Sequence, residues 1–149
     1  MDFRAYKTIV IRGGAGIGTW GPKVTIEVRN ELKKVKGKGW VLGLGFSHCS
    51  GIKNFTTQLT VDTGAIGGTE SKQVHLDLNP ANSLDFTASY NWTFHNQNIF
   101  YLEFGYAVAL QTNPYQVLDG SVLDHSSQVT LDLLSPGGVV IDCDFMFGL

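Results

Sequence analysis

Apolar and polar residues alternate with a period of two along most of this chain, and that periodicity points to β-strands almost throughout. Phe86, Ala88, Tyr90, Trp92 and Phe94 interleave with Thr87, Ser89, Asn91, Thr93 and His95. After the link 95–98, Ile99 to Gln111 continues the pattern, with Phe100, Leu102, Phe104, Tyr106, Val108 and Leu110 on one face. The opposite face, Tyr101, Glu103, Gly105, Ala107 and Ala109, is small and mostly apolar, as expected of a central strand packed on both sides. These two segments are expected to pair as a hairpin at the heart of the core, with Tyr90 and Trp92 in core phase.

Further strands are predicted at Ala5 to Arg12, Lys23 to Asn30, Trp40 to Phe46, Phe55 to Asp62, Lys72 to Leu78, Gln128 to Leu134 and Val139 to Phe147. Between them lie turn formers: 64–68, Asn79-Pro80, Asn113-Pro114, Asp119-Gly120 and Pro136-Gly137-Gly138. Only Val28 to Val35, through Val28, Leu32 and Val35, competes as a helix, and the alternation of Val24, Ile26 and Val28 runs into it. About nine strands in 149 residues define one all-β domain spanning 1–149, an antiparallel β-sandwich with a small closed β-barrel as the alternative.

At 43% apolar and 16% charged, against the roughly 25% charge usual in globular chains, the sequence excludes intrinsic disorder and implies a sparsely charged surface. No run approaches the roughly 20 apolar residues of a membrane helix. The opening Met1-Asp2-Phe3-Arg4 lacks the basic-then-apolar order of a leader, so a cytoplasmic location is the default expectation. The sequons at Asn54 and Asn91 would matter only in an exported chain.

Charge is asymmetric. Basic residues, among them Arg4, Arg12, Lys23, Arg29 and Lys33, outnumber Asp2, Glu27 and Glu31 in residues 1–40, whereas only Lys53 and Lys72 oppose the carboxylates that follow. The expected outcome is pairing of basic with acidic strands, within the fold or between subunits. Lys33, Lys34, Lys36 and Lys38 sit among glycines without aromatic partners, which reads as a solvated turn and argues against nucleic-acid recognition. Cys49 and Cys143 are expected as free thiols, with Cys143 in phase with Val139, Ile141 and Phe145 and therefore buried.

No motif for catalysis survives its context. Gly16-Ile17-Gly18-Thr19-Trp20-Gly21 fits G-x-G-x-x-G, but a dinucleotide loop must open a helix, and here Pro22 leads into a strand. The expectation is a flexible glycine loop with Trp20 at its tip, folded back or exposed, and no cofactor. His48 and Cys49, adjacent on an extended chain, point to opposite faces and cannot readily share a proton. His75 and Asp77 share a strand face and could orient one another or bind a ligand. Asp142 and Asp144 share a face of the last strand, where cation binding or plain solubility is the expected role. Glu103 lies in an otherwise apolar strand; it is either a carboxylate perturbed by burial or one half of an ion pair.

These features leave three functional expectations. The first is a non-enzymatic binding or self-assembly module, forming a homo-oligomer and meeting a glycan or other small polar ligand through Trp20, Trp40, His75, Asp77 and Glu103, without a metal. The second is a membrane-active β protein, since alternating strands can face lipid on one side and water on the other. The third is a barrel holding a small molecule, with or without cofactor-free isomerase or cyclase chemistry. The ligand, the oligomeric state and the choice of sandwich or barrel are not encoded in any motif.

Overall fold

A computed structural model describes residues 2–32, 37–64, 67–94 and 98–146. The chain is all-β apart from one short helix and forms two antiparallel sheets, as the sandwich reading expects; no closed barrel is present among the described residues. The larger sheet has seven strands in the order β1 (Asp2–Arg4), β2 (Ile9–Gly18), β3 (Gly21–Glu31), β4 (Lys38–Cys49), β7 (Ala81–Thr93), β8 (Ile99–Ala109), β10 (Gly138–Met146). The smaller has β5 (Ile52–Asp62), β6 (Thr69–Leu78) and β9 (Tyr115–Val117). A helix, α1, covers His125–Leu134.

The predicted central hairpin is present, with Tyr90 opposite Leu102, Ala88 opposite Phe104 and Phe86 opposite Tyr106. Strand β4 continues the same rows, setting Trp40 opposite Tyr90, Leu44 opposite Phe86 and Phe46 opposite Leu84. On the other flank Phe104 faces Ile141 and Tyr106 faces Val139. These registers collect the large apolar side chains of six long strands on one face.

That face is the outer one, which reverses the expected core. Leu42, Leu44 and Phe46 are 50%, 53% and 40% exposed, whereas Val41 and Ser47, in the opposite phase of the same strand, are 2% and 1% exposed. Phe86, Phe104, Tyr106, Val139 and Ile141 are likewise exposed. Tyr90 and Trp92 are half-buried among aromatic neighbours on this outer face. Cys143 is exposed in the same row and unpaired, while Cys49 is buried and unpaired. Period two says which residues share a face; it does not say which face is inside.

The apolar core lies elsewhere, at one end of the large sheet, where Trp20, Cys49 and Ala81 meet Val61, Val74, Leu76 and Leu78 of the small sheet and Leu123 and Leu131 beside or within α1. This corrects two expectations. The predicted strand Gln128 to Leu134 is part of α1: Asp124 caps it by accepting from the Ser126 amide at 3.1 Å, and Ser127 and Leu131, one turn apart, form its buried side. The alternation of Val129, Leu131 and Leu133 concealed it, because Val129 and Leu133 are exposed. Likewise the glycines expected as a loop are strand, paired from Gly13 with Ile26 to Gly18 with Gly21 around the turn Thr19-Trp20. Gly21 takes a positive φ of 94°, and a Cβ there would come 2.7 Å from the Gly51 carbonyl oxygen, so glycine is required. The candidate helix Val28 to Val35 is strand as far as Glu31; Lys33, Lys34, Val35 and Lys36 lie outside the described residues, as do His95 and the Asp144 side chain.

Candidate functional site

The inner face of the large sheet carries what the outer face lacks. Along β3, Lys23, Thr25, Glu27 and Arg29 alternate with Val24, Ile26 and Val28. Arg29 is only 3% exposed, although Val28 beside it is 49% exposed. Its Nε donates to Glu27 Oε2 at 2.7 Å, and its Nη2 donates to Glu103 Oε2. Thr87 Oγ1 donates to the second oxygen of Glu27 at 2.5 Å. Glu103 is therefore one half of an ion pair with a basic strand.

This contact defines the shape of the sheet. Arg29 is on β3 and Glu103 on β8, with β4 and β7 between them, so they can meet only if the sheet curls into a trough. Arg12 on β2 reaches still further, its guanidinium 5.6 Å from the centre of the Tyr101 ring on β8. Small inner residues make room. A Cβ on Gly43 would collide with the Glu27 carboxylate and the Thr87 hydroxyl. Further along, Asp85 accepts from Ser83 Oγ at 2.8 Å and from Ser47 Oγ. Ser89 Oγ and Asn91 Oδ1 are buried without a hydrogen-bond partner among the described residues. The trough encloses a cavity of about 790 Å³, bordered by Arg12, Lys23, Glu27, Asp85, Glu103 and Asp142 among others.

The residues singled out from the sequence do not converge. Trp20 is buried in the apolar core, with Nε1 donating to the Asn79 carbonyl at 3.1 Å. Trp40 stands on the exposed apolar face, edge-on to Tyr90 with centroids 5.1 Å apart. His75 and Asp77 lie on the small sheet and bond across to its neighbour strand instead of to each other. His75 Nδ1 lies 3.0 Å from Thr56 Oγ1, while Asp77 accepts from Lys53 Nζ at 2.8 Å and from the Asn54 amide at 2.9 Å. Asp77 thereby anchors the bulge in which Asn54 adopts a left-handed φ of 53°. Only Glu103 belongs to the trough. Its partners Glu27, Arg29 and Thr87 were legible as the polar phase of their strands, but nothing local in sequence joins β3 to β8.

Among the described residues, no three His, Cys, Asp or Glu side chains are grouped as a metal site. Comparison with known protein families, curated proteins and solved structures finds no match to the chain.

Two predictions follow from these contacts. Arg29→Met strands the Glu27 and Glu103 carboxylates and is expected to cost about 3–5 kcal/mol; Glu103→Leu, which leaves Arg29 paired with Glu27, loses less, as read by chemical unfolding. The Lys53 ammonium, aided by the Asn54 amide, holds the Asp77 carboxyl below its usual range. A folded value below the unfolded one gives stability that is present above the unfolded value and lost as pH falls through the folded one. Asp77→Asn is therefore expected to flatten the acid limb of the stability profile and leave the slope near neutral pH unchanged, with Trp20 fluorescence as the readout.

Proposed function

We propose that this chain is a membrane-embedded β protein whose large sheet sets its apolar face in lipid and keeps its charges in the trough. The observation that carries the reading is the inversion itself: Leu44 and Phe86 are exposed while Arg29 and Glu103 are buried. In water that arrangement places each group in its unfavourable environment, whereas in a bilayer both placements are favourable.

Three dimensions support it. The six long strands run from nine residues in β10 to thirteen in β7, and a tilted strand of about 9–11 residues crosses the hydrocarbon. Links 5–8, 32–37 and 94–98, at one end of the large sheet, are short, whereas at the other, beside the two-residue turn Thr19-Trp20, the links 50–80 and 110–137 carry the small sheet and α1. That asymmetry of short turns and long loops is usual in membrane barrels. Aromatic side chains gather toward the short-link end, where Trp40, Tyr90, Trp92 and Phe100 touch in series and Phe94 lies 6.5 Å from Phe145. Such rings favour the boundary between lipid and water.

A binding or self-assembly module in water would also need this face covered. It extends over all six long strands of the curled sheet, which favours a continuous apolar solvent over a single partner footprint. A glycan site built on Trp20 is disfavoured by the burial of that ring.

Flotation with liposomes, combined with quenching by bromine-labelled acyl chains, tests the reading. Trp40, left as the sole tryptophan, is expected to be quenched, and Trp20 alone is not. Leu44→Arg, at the middle of β4, is expected to weaken insertion by about 2–4 kcal/mol, while an inner-face change such as Thr25→Ser leaves it intact. A wild-type chain that stays in the aqueous fraction across lipid compositions would refute it.

A further inference from the structure

At one level the trough is filled nearly across. Val10 of β2, Arg29 of β3, Val41 of β4, Asn91 of β7 and Tyr101 of β8 are all buried, so five neighbouring strands each send a side chain to the same place. Register brings them together, with Val10 opposite Arg29, Glu31 opposite Val41 and Asn91 opposite Tyr101. These five residues and Glu31 border a void of about 10 Å³. Along β2, β3, β7 and β8 alike, its border lies two or more residues nearer the short links than the border of the 790 Å³ cavity.

One group on this border is unsatisfied. Asn91 is only 1% exposed, and its Oδ1 has no hydrogen-bond partner among the described residues. A buried amide oxygen left so has lost its hydration with nothing in exchange. Gly39, opposite Asn91 on β4, has no side chain to supply a donor or to fill the space. Arg29 stands on the same border, its guanidinium 5.8 Å from the centre of the Tyr101 ring. Its Nε and Nη2 donate to Glu27 and Glu103, and the same planar fork carries further N–H donors.

We propose that this void is a hydration site for a single water molecule, which donates to Asn91 Oδ1, accepts from the Arg29 guanidinium and completes a layer that closes the trough toward the short links. The chemistry selects the occupant. A cation is repelled by the guanidinium, an anion cannot donate to the amide oxygen, and an apolar occupant leaves both groups unsatisfied. Water alone among small occupants serves both. The least room that holds one water is about 10–15 Å³, so the void admits one molecule and not a file of them. Buried waters make about two to four hydrogen bonds, and Glu31 and Tyr101 keep the rest of the border polar. The site depends on these contacts and not on the lipid reading.

Deuteron relaxation dispersion of water, measured on the protein in detergent micelles, counts the molecules held longer than the particle takes to tumble. Asn91→Leu, similar in volume but without the acceptor, is expected to hold one water fewer than the wild type. Ser89→Ala, on the same face of β7 but off the border of the void, is expected to hold the same number as the wild type. In the wild-type chain itself, the methyl groups of Val10 and Val41 are expected to show cross-relaxation with water of the sign given by a bound molecule. That readout stands even where Asn91→Leu fails to fold. Equal counts in the wild type and a folded Asn91→Leu, or methyl groups silent to water, would overturn the proposal. So would the loss of two or more waters in Asn91→Leu, which marks a continuous wet column in place of a single site.

Discussion

A buried arginine held between two carboxylates decides which side of the large sheet is its inside. Arg29 bonds Glu27 on its own strand and Glu103 three strands away, and both carboxylates and the guanidinium lie on the phase opposite the large apolar side chains. Leaving any of the three unpaired away from water would cost several kcal/mol. Once they meet, the sheet must curl, the small residues must line the trough, and the apolar residues must turn outward. Gly43 shows how tightly this is specified, since any side chain there would occupy the space of the Glu27 carboxylate and the Thr87 hydroxyl.

The molecule thus uses two different solutions to burial. Around Trp20, Leu76 and Leu131 it builds an ordinary apolar core between the small sheet, α1 and the end of the large sheet. Along the six long strands it inverts the rule, with hydrogen-bonded polar groups inside and Leu, Phe, Val and Ile outside. The two regions meet at the end of the large sheet, where Cys49 and Ala81 belong to the apolar core and Ser47 and Ser83, two residues along each strand, belong to the trough. On the proposed reading, this division separates a part built for water from a part built for lipid.

Much of the architecture was legible in the sequence, because alternation fixes strands and shared faces. The hairpin of β7 and β8, the strand that follows Pro22 and the opposition of His48 to Cys49 follow from periodicity and turn chemistry alone. The direction of the faces was not legible, since Phe86, Phe104 and Ile141 alternate in the same way whether they point to a core or to lipid. Nor was α1, whose Val129, Leu131 and Leu133 mimic a strand; the capping Asp124 and the seryl pair after it were the local clue. Glu103 stood out because a lone carboxylate in an apolar strand needs a partner, but that partner is fixed by register across β4 and β7, which no local window contains. Trp20 and the pair His75 and Asp77 drew attention as chemistry-bearing residue types; Trp20 lies in the apolar core, and His75 and Asp77 bond across to β5 instead of to each other.

The outward orientation of the apolar rows is measured directly by a nitroxide scan of β4 from Val41 to His48 in bilayers. Oxygen, which concentrates in lipid, is expected to relax labels at Leu42, Leu44 and Phe46 strongly and those at Val41, Gly43, Gly45 and Ser47 weakly, with a period of two. The opposite phase, or protection of the even positions from oxygen and from a polar nickel reagent alike, would mean that these rows are buried in protein and would contradict the account.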